Sequence, residues 1–283
     1  MSLTLIEAVA LRALEYPYRV WGFGEGMALS GLLGAGELLE QHKWIDAVAE
    51  IVEPSLRAEQ GPTDHLIPVE VLVELKRLRP ALDIEPAVRR FVRAVEDEVH
   101  RPDLPGLNTM VWVDCMHTDI PGLLLAGETE AAQRVVERAC AHLQDESGLF
   151  SHGYDAATGR ANGVHWGRGQ GWALHGLLAA GSPRVHALVK ALERTEESGR
   201  WRTIVDDPGA PFENSVSAFV AACFSGTGLG SRALRAALDA IDGDGGLPVS
   251  SATPVGSYLD RDTGVFPWGQ GPLLLALLAG VER

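Results

Sequence analysis

Apolar residues recur along this chain at the three- and four-residue spacing of helices, in two kinds of segment that alternate. In the first kind they form dense runs after a polar start, as at Leu174, Leu177 and Leu178. In the second kind, charged residues fill the positions between the apolar ones. Segments of the second kind cover Met1–Leu14 and residues 37–51, 85–99, 128–143, 183–198 and 231–241. The alternation predicts buried helices followed by amphipathic ones, and patterns typical of strands are sparse.

The polar starts of the dense runs resemble one another. The clearest copies are Trp166–Trp172, Trp21–Gly26 and Trp268–Gly271, each rich in tryptophan and glycine and each followed by leucines. Weaker copies lie around Asp64, Asp114 and Glu213. The six starts fall near residues 21, 64, 114, 166, 213 and 268. A supersecondary unit repeated at this spacing is typical of repeat architectures.

We therefore predict an all-α fold, a single (α/α)6 six-hairpin barrel, or toroid, over residues 1–283. Apolar helices would form the inner ring and amphipathic helices the outer ring, so that the six polar starts line one pocket. An open α-solenoid is the alternative, and it would spread the same starts along a groove. Residues 147–163 and 242–256 are expected to be long loops, which are often functional in a compact fold.

Composition narrows the functional classes. The net charge of −14 and the pI near 5.0 argue against nucleic-acid binding and against adhesion to anionic membranes. The three cysteines are far apart and lack metal-ligand spacing, and the N-terminus shows no signal-peptide or membrane-span pattern. We therefore expect a cytoplasmic protein. The Gly-x-Gly-x-Gly stretches follow no strand, so we expect no nucleotide cofactor.

Asp64 and Asp114 occupy equivalent places in successive repeats. Two carboxyl groups at one pocket mouth can perform general acid–base chemistry, and an apolar neighbour such as Trp112 favours a protonated carboxyl. The alternative is that each aspartate caps a helix. Either role is compatible with the sequence.

Four histidines are expected at the rim: His65, His117, His152 and His165. They lack the spacing of a zinc site, so we predict no metal. A helix start favours an anionic ligand. Arg168, the only arginine of its motif, could bind a substrate carboxylate with its fork, or it could form a structural ion pair with Asp155 or Asp114.

The segments 148–155 and 165–172 resemble motifs of the unsaturated glucuronyl and rhamnogalacturonyl hydrolases, glycoside hydrolase families 88 and 105. Trp112–Met116 and Asp64–Pro68 look like the two aspartate motifs of these families. Segments starting at Glu213 and Trp268 look like those of the last two repeats. The resemblance extends from about Trp21 to the C-terminus in the right order.

The resemblance implies a six-hairpin barrel and an unusual glycosidase activity. The substrate would be an oligosaccharide made by a lyase, with a 4,5-unsaturated uronic acid at its non-reducing end. Asp114 would protonate carbon four and then activate the water that adds at carbon five, and Asp64 would assist. The residues implied to contact the sugar are His152, Trp166, Arg168, Gln170, Trp172, His165, Trp21, Trp112, Glu213 and Trp268.

Two departures from the family pattern bear on the substrate. The family commonly has asparagine where this chain has Gln170, and the chain is shorter than its relatives usually are. Shorter loops would alter selectivity because loops carry it. Two other functions stay open from the sequence: a sugar epimerase that uses the rim histidines, and a sugar-binding protein without catalysis. The oligomeric state is not predicted.

Overall fold

The computed structural model describes residues 2–18, 24–57, 61, 64–96 and 110–281, and this part of the chain contains twelve α-helices. Five of the even-numbered helices are mostly apolar: α2 (Glu25–Leu38), α6 (Met116–Leu125), α8 (Gly167–Ala179), α10 (Asn214–Cys223) and α12 (Pro267–Ala279). The sixth, α4 (Val69–Leu78), is amphipathic and carries four charged residues among its ten. The odd-numbered helices are amphipathic: α1 (Leu3–Leu14), α3 (His42–Leu56), α5 (Glu85–Glu96), α7 (Thr129–Leu143), α9 (Val185–Thr195) and α11 (Gly228–Asp239).

The even-numbered helices form a closed inner ring. Each of them packs against the next, from α2 to α4 and on to α12, and α12 packs back against α2. The odd-numbered helices lie outside, as seen where α3 packs on α2, α7 on α6 and α11 on α10. The predicted all-α six-hairpin barrel is confirmed, and the open solenoid is wrong because the last inner helix closes on the first.

The hydrophobic pattern explains which helices lie inside. Helix α8 contacts neighbours on all sides, and every residue from Gly167 to Leu174 is buried. Helix α7 buries one stripe instead, through Ala132, Val136, Ala139 and Leu143. A helix that is apolar all round needs partners all round, whereas an amphipathic helix can face solvent with its polar side.

Helix boundaries agree with the prediction to within a few residues, with one larger difference. The second outer helix runs from His42 to Leu56, not from residue 37 to residue 51, and it begins later because the inner helix α2 continues to Leu38. The chain then reverses through Glu40, which adopts a positive φ of 54°.

Five short strands lie in the long connections. They are β1 (Met110–Trp112), β2 (Gly153–Asp155), β3 (Arg160–Ala161), β4 (Pro248–Ser250) and β5 (Thr263–Val265). β2 pairs antiparallel with both β1 and β3, and β4 pairs antiparallel with β5. The two segments expected to be loops, 147–163 and 242–256, therefore contain strands. None of the described helices has the length and apolar character needed to cross a membrane.

Candidate active site

The pairing of β1 with β2 brings the predicted acid beside a histidine. Trp112 lies opposite Gly153 in the antiparallel register, and the backbone N–H of Val113 donates to the carbonyl of His152 at 3.0 Å. Asp114 follows β1 in a short 3₁₀ turn, Val113–Cys115, and His152 directly precedes β2. The two side chains therefore project from adjacent ends of one small sheet.

Asp114 and His152 form a nearly buried pair. Nε2 of His152 lies 3.0 Å from Oδ2 of Asp114, and the side chains are 4% and 15% exposed, respectively. The N–H bond does not point straight at that oxygen, as is common for catalytic hydrogen bonds before substrate binds. Burial raises the pKa of Asp114, but His152, together with His117 and the backbone N–H of Asp114, more than offsets this effect, so the pKa lies below its ordinary value. Asp114 is therefore a carboxylate at neutral pH in this structure.

His117 contacts the backbone of Asp114 as a neutral ring. Its Nε2 accepts a hydrogen bond of 3.2 Å from the backbone N–H of Gly24, and its Nδ1 contacts the carbonyl oxygen of Asp114. Burial lowers the pKa of His117 to about 4. Because Nε2 accepts, Nδ1 carries the proton and donates it to that carbonyl.

Arg168, the second residue of α8, is buried against the segment that follows β4. Its Nη1 donates to the carbonyl oxygen and Oγ of Ser250 at 3.1 and 3.2 Å. Its Nη2 donates to the Ser251 carbonyl and to Thr253 Oγ1, both at 3.0 Å. Oε1 of Glu213 lies 3.7 Å from Nη1. Burial lowers the pKa of Arg168 to about 10, with Glu213 acting in the opposite direction, so the guanidinium stays charged at neutral pH.

Aromatic rings surround these charged groups. The guanidinium carbon of Arg168 lies 4.5 Å from the centre of the Trp166 ring and 5.2 Å from that of Trp268. His152 lies against Trp166 at 4.6 Å and meets Trp112 edge-on at 5.4 Å. The buried indole N–H groups of Trp166 and Trp172 have no hydrogen-bond partner in the described part of the chain. Buried tryptophan N–H groups usually have a partner, so these two are candidate donors to a ligand.

Contacts among the described residues connect five of the six polar starts. Gly24 bonds to His117, and His117 stacks on Trp172 with ring centres 3.8 Å apart. Gly24 has a φ of +82°, and a Cβ there would lie 2.9 Å from atoms of both Trp172 and Trp268. Arg168 links the fourth start to the fifth and the sixth through the contacts described above. These five starts therefore converge, whereas the repeat pattern predicted that all six would.

The second start has a different set of partners. Asp64 begins a short 3₁₀ turn, Asp64–Leu66, that packs against α5 and α6. Its Oδ2 lies 3.4 Å from Nε of Arg90, and it accepts a 3.0 Å hydrogen bond from the N–H of Gly61. Asp64 is thus held in a buried ion pair beside the helix that follows Asp114.

Three predicted site residues have structural contacts instead of open polar groups. Gln170 is fully buried; its Oε1 accepts from Phe150 N at 2.9 Å, and its Nε2 donates to the carbonyls of Phe150 and Trp166. His165 is bound through both ring nitrogens, to Asp145 at 2.9 Å and to Asp206 at 2.7 Å. Arg168 is the third of these residues, and its ion-pair partner is Glu213, not Asp155 or Asp114 as the sequence suggested. Trp21 lies outside the described residues.

The glutamine of the repeated motif has the same role twice. Gln270 is buried like Gln170, and its Oε1 accepts from Leu247 N at 2.7 Å. Each is the fourth residue of its inner helix, since α8 begins at Gly167 and α12 at Pro267. In this register Trp268 is equivalent to Arg168, not to Trp166. The motif therefore ties the start of an inner helix to the preceding loop.

Sequence reasoning missed two residues that contact the site. Tyr258 is 7% exposed, and its hydroxyl lies 2.9 Å from Nδ1 of His152. Asn162 donates through Nδ2 to the same hydroxyl at 2.9 Å. Neither residue belongs to a motif. Among the described residues, no group of three or more His, Cys, Asp or Glu side chains is arranged to hold a metal ion.

No protein-family model matches the chain. Over 171 residues the chain is 34% identical to the unsaturated rhamnogalacturonyl hydrolase YesR of Bacillus subtilis, a match that covers 50% of this chain and 48% of that protein. The match thus spans about half the length of this curated relative.

Solved structures match over nearly the whole chain. A possible member of the GH105 family from Salmonella enterica superimposes with a TM-score of 0.82 at 18% identity, covering 98% of this chain and 92% of that one. The unsaturated glucuronyl hydrolase of Bacillus sp. GL1, described as responsible for the degradation of glycosaminoglycan, superimposes with a TM-score of 0.72 at 16% identity, covering 98% and 96%. The resemblance found in the motifs is thereby confirmed, and the chain has the six-hairpin α/α-barrel fold of the family 105 and family 88 glycoside hydrolases.

Proposed function

We propose that this chain is a glycoside hydrolase that removes a 4,5-unsaturated uronic acid from the non-reducing end of small oligosaccharides. The observation that carries the proposal is the Asp114–His152 pair at the point where the polar starts converge. The similarity to an unsaturated rhamnogalacturonyl hydrolase supports the substrate class. The reaction hydrates the enol-ether double bond, and residues 1–283 act as one catalytic domain.

Asp114 needs a proton before it can act as an acid. Its pKa lies below the ordinary value in the free protein, so substrate must change its protonation state. An unsaturated uronate brings its own carboxylate into the pocket, and a like charge within ~4–6 Å raises the pKa of a carboxyl. Exclusion of water by the bound sugar acts in the same direction. Binding therefore takes up one proton, which resides on Asp114.

The reaction then uses Asp114 twice. Its proton passes to carbon four, and the positive charge that develops at carbon five is shared with the ring oxygen. The Asp114 carboxylate next accepts a proton from the water that adds at carbon five. The resulting hemiketal opens and the aglycone leaves as an alcohol, so one water is consumed and Asp114 ends protonated as it began. Carboxylate separation does not predict the stereochemistry of such a reaction.

The remaining residues bind and orient the sugar. The free indole N–H groups of Trp166 and Trp172 donate to substrate oxygens, and Trp112 shapes the pocket beside His152. Both terminal nitrogens of Arg168, Nη1 and Nη2, already donate to acceptors in the protein. Arg168 therefore attracts the substrate carboxylate through its charge and does not clamp it with a free fork. Asp64, paired with Arg90, shapes the neighbouring wall.

Three of the four predicted rim histidines, His117, His152 and His165, do not favour an epimerase. Both ring nitrogens of His117 and both of His165 have partners within the protein. His152 faces Asp114 with one nitrogen and Tyr258 with the other. An epimerase base needs a nitrogen directed at the substrate.

We also propose the cytoplasm as the location, because all three cysteines are free thiols, as a reducing compartment favours.

The test uses unsaturated disaccharides made by different lyases from pectic polysaccharides and from glycosaminoglycans. Loss of the ultraviolet absorbance of the conjugated double bond reports turnover. We expect the wild-type protein to consume at least one of them and Asp114→Asn to lose activity. Asp119→Asn is the matched control, because Asp119 is buried on the helix that follows Asp114 and bonds only to Thr118 among the described residues.

Three outcomes would contradict the proposal. Full activity of Asp114→Asn would reject the assigned acid, and turnover of saturated sugars alone would point to another enzyme class. Tight binding by calorimetry without product over long incubation would indicate a sugar-binding protein.

A further inference from the structure

Tyr258 is the side chain of the β4–β5 loop (residues 251–262) that contacts His152. Its hydroxyl lies 2.9 Å from Nδ1 of His152, while Nε2 of the same ring lies 3.0 Å from Oδ2 of Asp114. The phenol is 7% exposed, so water competes little for this bond. The state of the imidazole that faces Asp114 therefore depends on what Tyr258 does with its single proton.

The orientation of Asn162 settles the direction of the hydrogen bonds. Its Oδ1 accepts from the backbone N–H of Val164 at 3.2 Å and, at 3.5 Å, from that of Gly153. Backbone N–H groups can only donate, so the oxygen of the amide must face them. The amide nitrogen Nδ2 then faces Tyr258 at 2.9 Å and can only donate to it.

The remaining hydrogen bonds follow from counting donors. The Tyr258 oxygen accepts from Asn162, and among the described residues Nδ1 of His152 is the one acceptor that the hydroxyl contacts, so the Tyr258 O–H donates to Nδ1. A neutral imidazole has one acceptor and one donor nitrogen. If Nδ1 accepts, the proton must be on Nε2, the nitrogen that faces Asp114. The tautomer of a histidine is commonly set in this way by the bond at its other nitrogen.

We infer that Asn162 and Tyr258 are positioning residues that hold His152 in the tautomer with its proton on Nε2, so that Oδ2 of Asp114 always faces a donor. The transferable proton of Asp114 must then be carried on Oδ1. That leaves one defined oxygen of the carboxyl group to face carbon four of the sugar. The assignment of the tautomer rests on the hydrogen bonds alone, whereas its catalytic use rests on the proposed function.

The first test reads the tautomer directly in the resting protein. Protein labelled with ¹⁵N-histidine distinguishes the two neutral tautomers in long-range ¹⁵N–¹H spectra, and loss of a signal set in His152→Asn assigns His152. We expect the Nε2–H pattern in the wild type. A wild-type spectrum with Nδ1 protonated, whether neutral or doubly protonated, would overturn the inference.

Asn162→Asp provides the sharpest variant because it keeps the shape and reverses the bond. The introduced carboxylate can still accept from Val164 and Gly153, but it can no longer donate to Tyr258. Tyr258 would donate to that carboxylate instead, and Nδ1 of His152 would have to become a donor. We expect the His152 pattern to change to one with Nδ1 protonated. An unchanged pattern in a folded variant would overturn the inference.

Tyr258→Phe removes the hydroxyl alone, and Tyr154→Phe is its matched control. Tyr154 stands on β2 and stacks on His142, with ring centres 4.2 Å apart, away from this chain of hydrogen bonds. At metal-binding histidines, loss of an outer hydrogen-bond partner costs about 10- to 100-fold in affinity or activity, and we take the same range for His152. We expect that loss in kcat with little change in KM for Tyr258→Phe, and wild-type behaviour for Tyr154→Phe.

The readouts separate this inference from the proposed function. If no unsaturated disaccharide is consumed but the tautomer changes with Asn162→Asp, the proposed function fails and the positioning role stands. If activity is found but Tyr258→Phe matches Tyr154→Phe in both spectrum and kcat, the positioning role fails and the proposed function stands.

Discussion

The ion pair of Arg168 with Glu213 is buried, and its strength can be measured by a double-mutant cycle. Both side chains are at most 2% exposed, and the closest atoms are 3.7 Å apart. Glu213 also accepts from Ser215 through N–H and Oγ and from the Ser250 N–H. Neither charge is left without other partners when its counter-ion is removed. The cycle uses Arg168→Met, Glu213→Gln and the double variant.

The expected coupling follows from the distance and the burial. Two unit charges at this separation attract by about 4 kcal/mol at an effective dielectric constant of ~20. The guanidinium N–H groups point at Ser250, Ser251 and Thr253, so the pair is not a direct hydrogen bond and the attraction is not at its maximum. We expect a coupling of about 2–4 kcal/mol.

The matched control is the surface pair Arg232–Glu196. Its closest atoms are only 2.6 Å apart, but the Arg232 side chain is 51% exposed. Water and salt screen such a pair, so we expect a smaller coupling in spite of the shorter distance. Urea unfolding followed by circular dichroism gives the free energy of unfolding for each variant. A coupling between Arg168 and Glu213 no larger than that between Arg232 and Glu196 would refute the reasoning. It would show that the hydrogen bonds to the serine and threonine residues, and not the ion pair, hold Arg168 in place.

Three further predictions concern buried groups near the site. Burial raises the pKa of Asp119 from 3.8 to about 8, so ionisation of this group makes the folded protein less stable as the pH rises from about 4 toward 8. Asp119→Asn should therefore raise the free energy of unfolding at pH ~8 by a few kcal/mol relative to its effect at pH ~4. An effect of the substitution that does not depend on pH would contradict this prediction. Gln170→Leu leaves the N–H and C=O of Phe150 unpaired, which should cost about 2–4 kcal/mol in urea unfolding without changing KM; a raised KM at unchanged stability would instead show a substrate contact. Gly171→Ala places a Cβ 2.6 Å from the Phe219 ring and should cost about 1–3 kcal/mol in thermal unfolding, whereas Gly228→Ala, with its nearest atom at 3.7 Å, should be neutral or stabilising.

The architecture could be predicted because its signal is local and repeated. The dense runs of leucine after Trp172 and Trp268 each indicate a helix that is apolar on all sides and must be buried. Five such helices and the amphipathic α4 satisfy that need by closing into an inner ring, as the packing of α12 on α2 shows. The meeting of the polar starts then follows from the order of the helices alone.

The roles of individual polar side chains were harder to predict. Gln170 and Arg168 stand two residues apart in one motif, yet Gln170 binds the backbone of Phe150 while Arg168 reaches residues 250–253. Both positions are buried in the same helix start. Their different partners depend on which loop folds over each of them, and no local pattern records that.

The sequence by itself determined the ring of helices and identified Asp114 and His152 as candidate residues of one site. Only the tertiary structure decided that Tyr258, 106 residues from His152 along the chain, would supply the bond to its ring. Helical periodicity is a property of neighbouring residues, so it can be recognised without knowing the fold. A hydrogen bond between two distant loops exists only after the barrel has closed and set the distance between them.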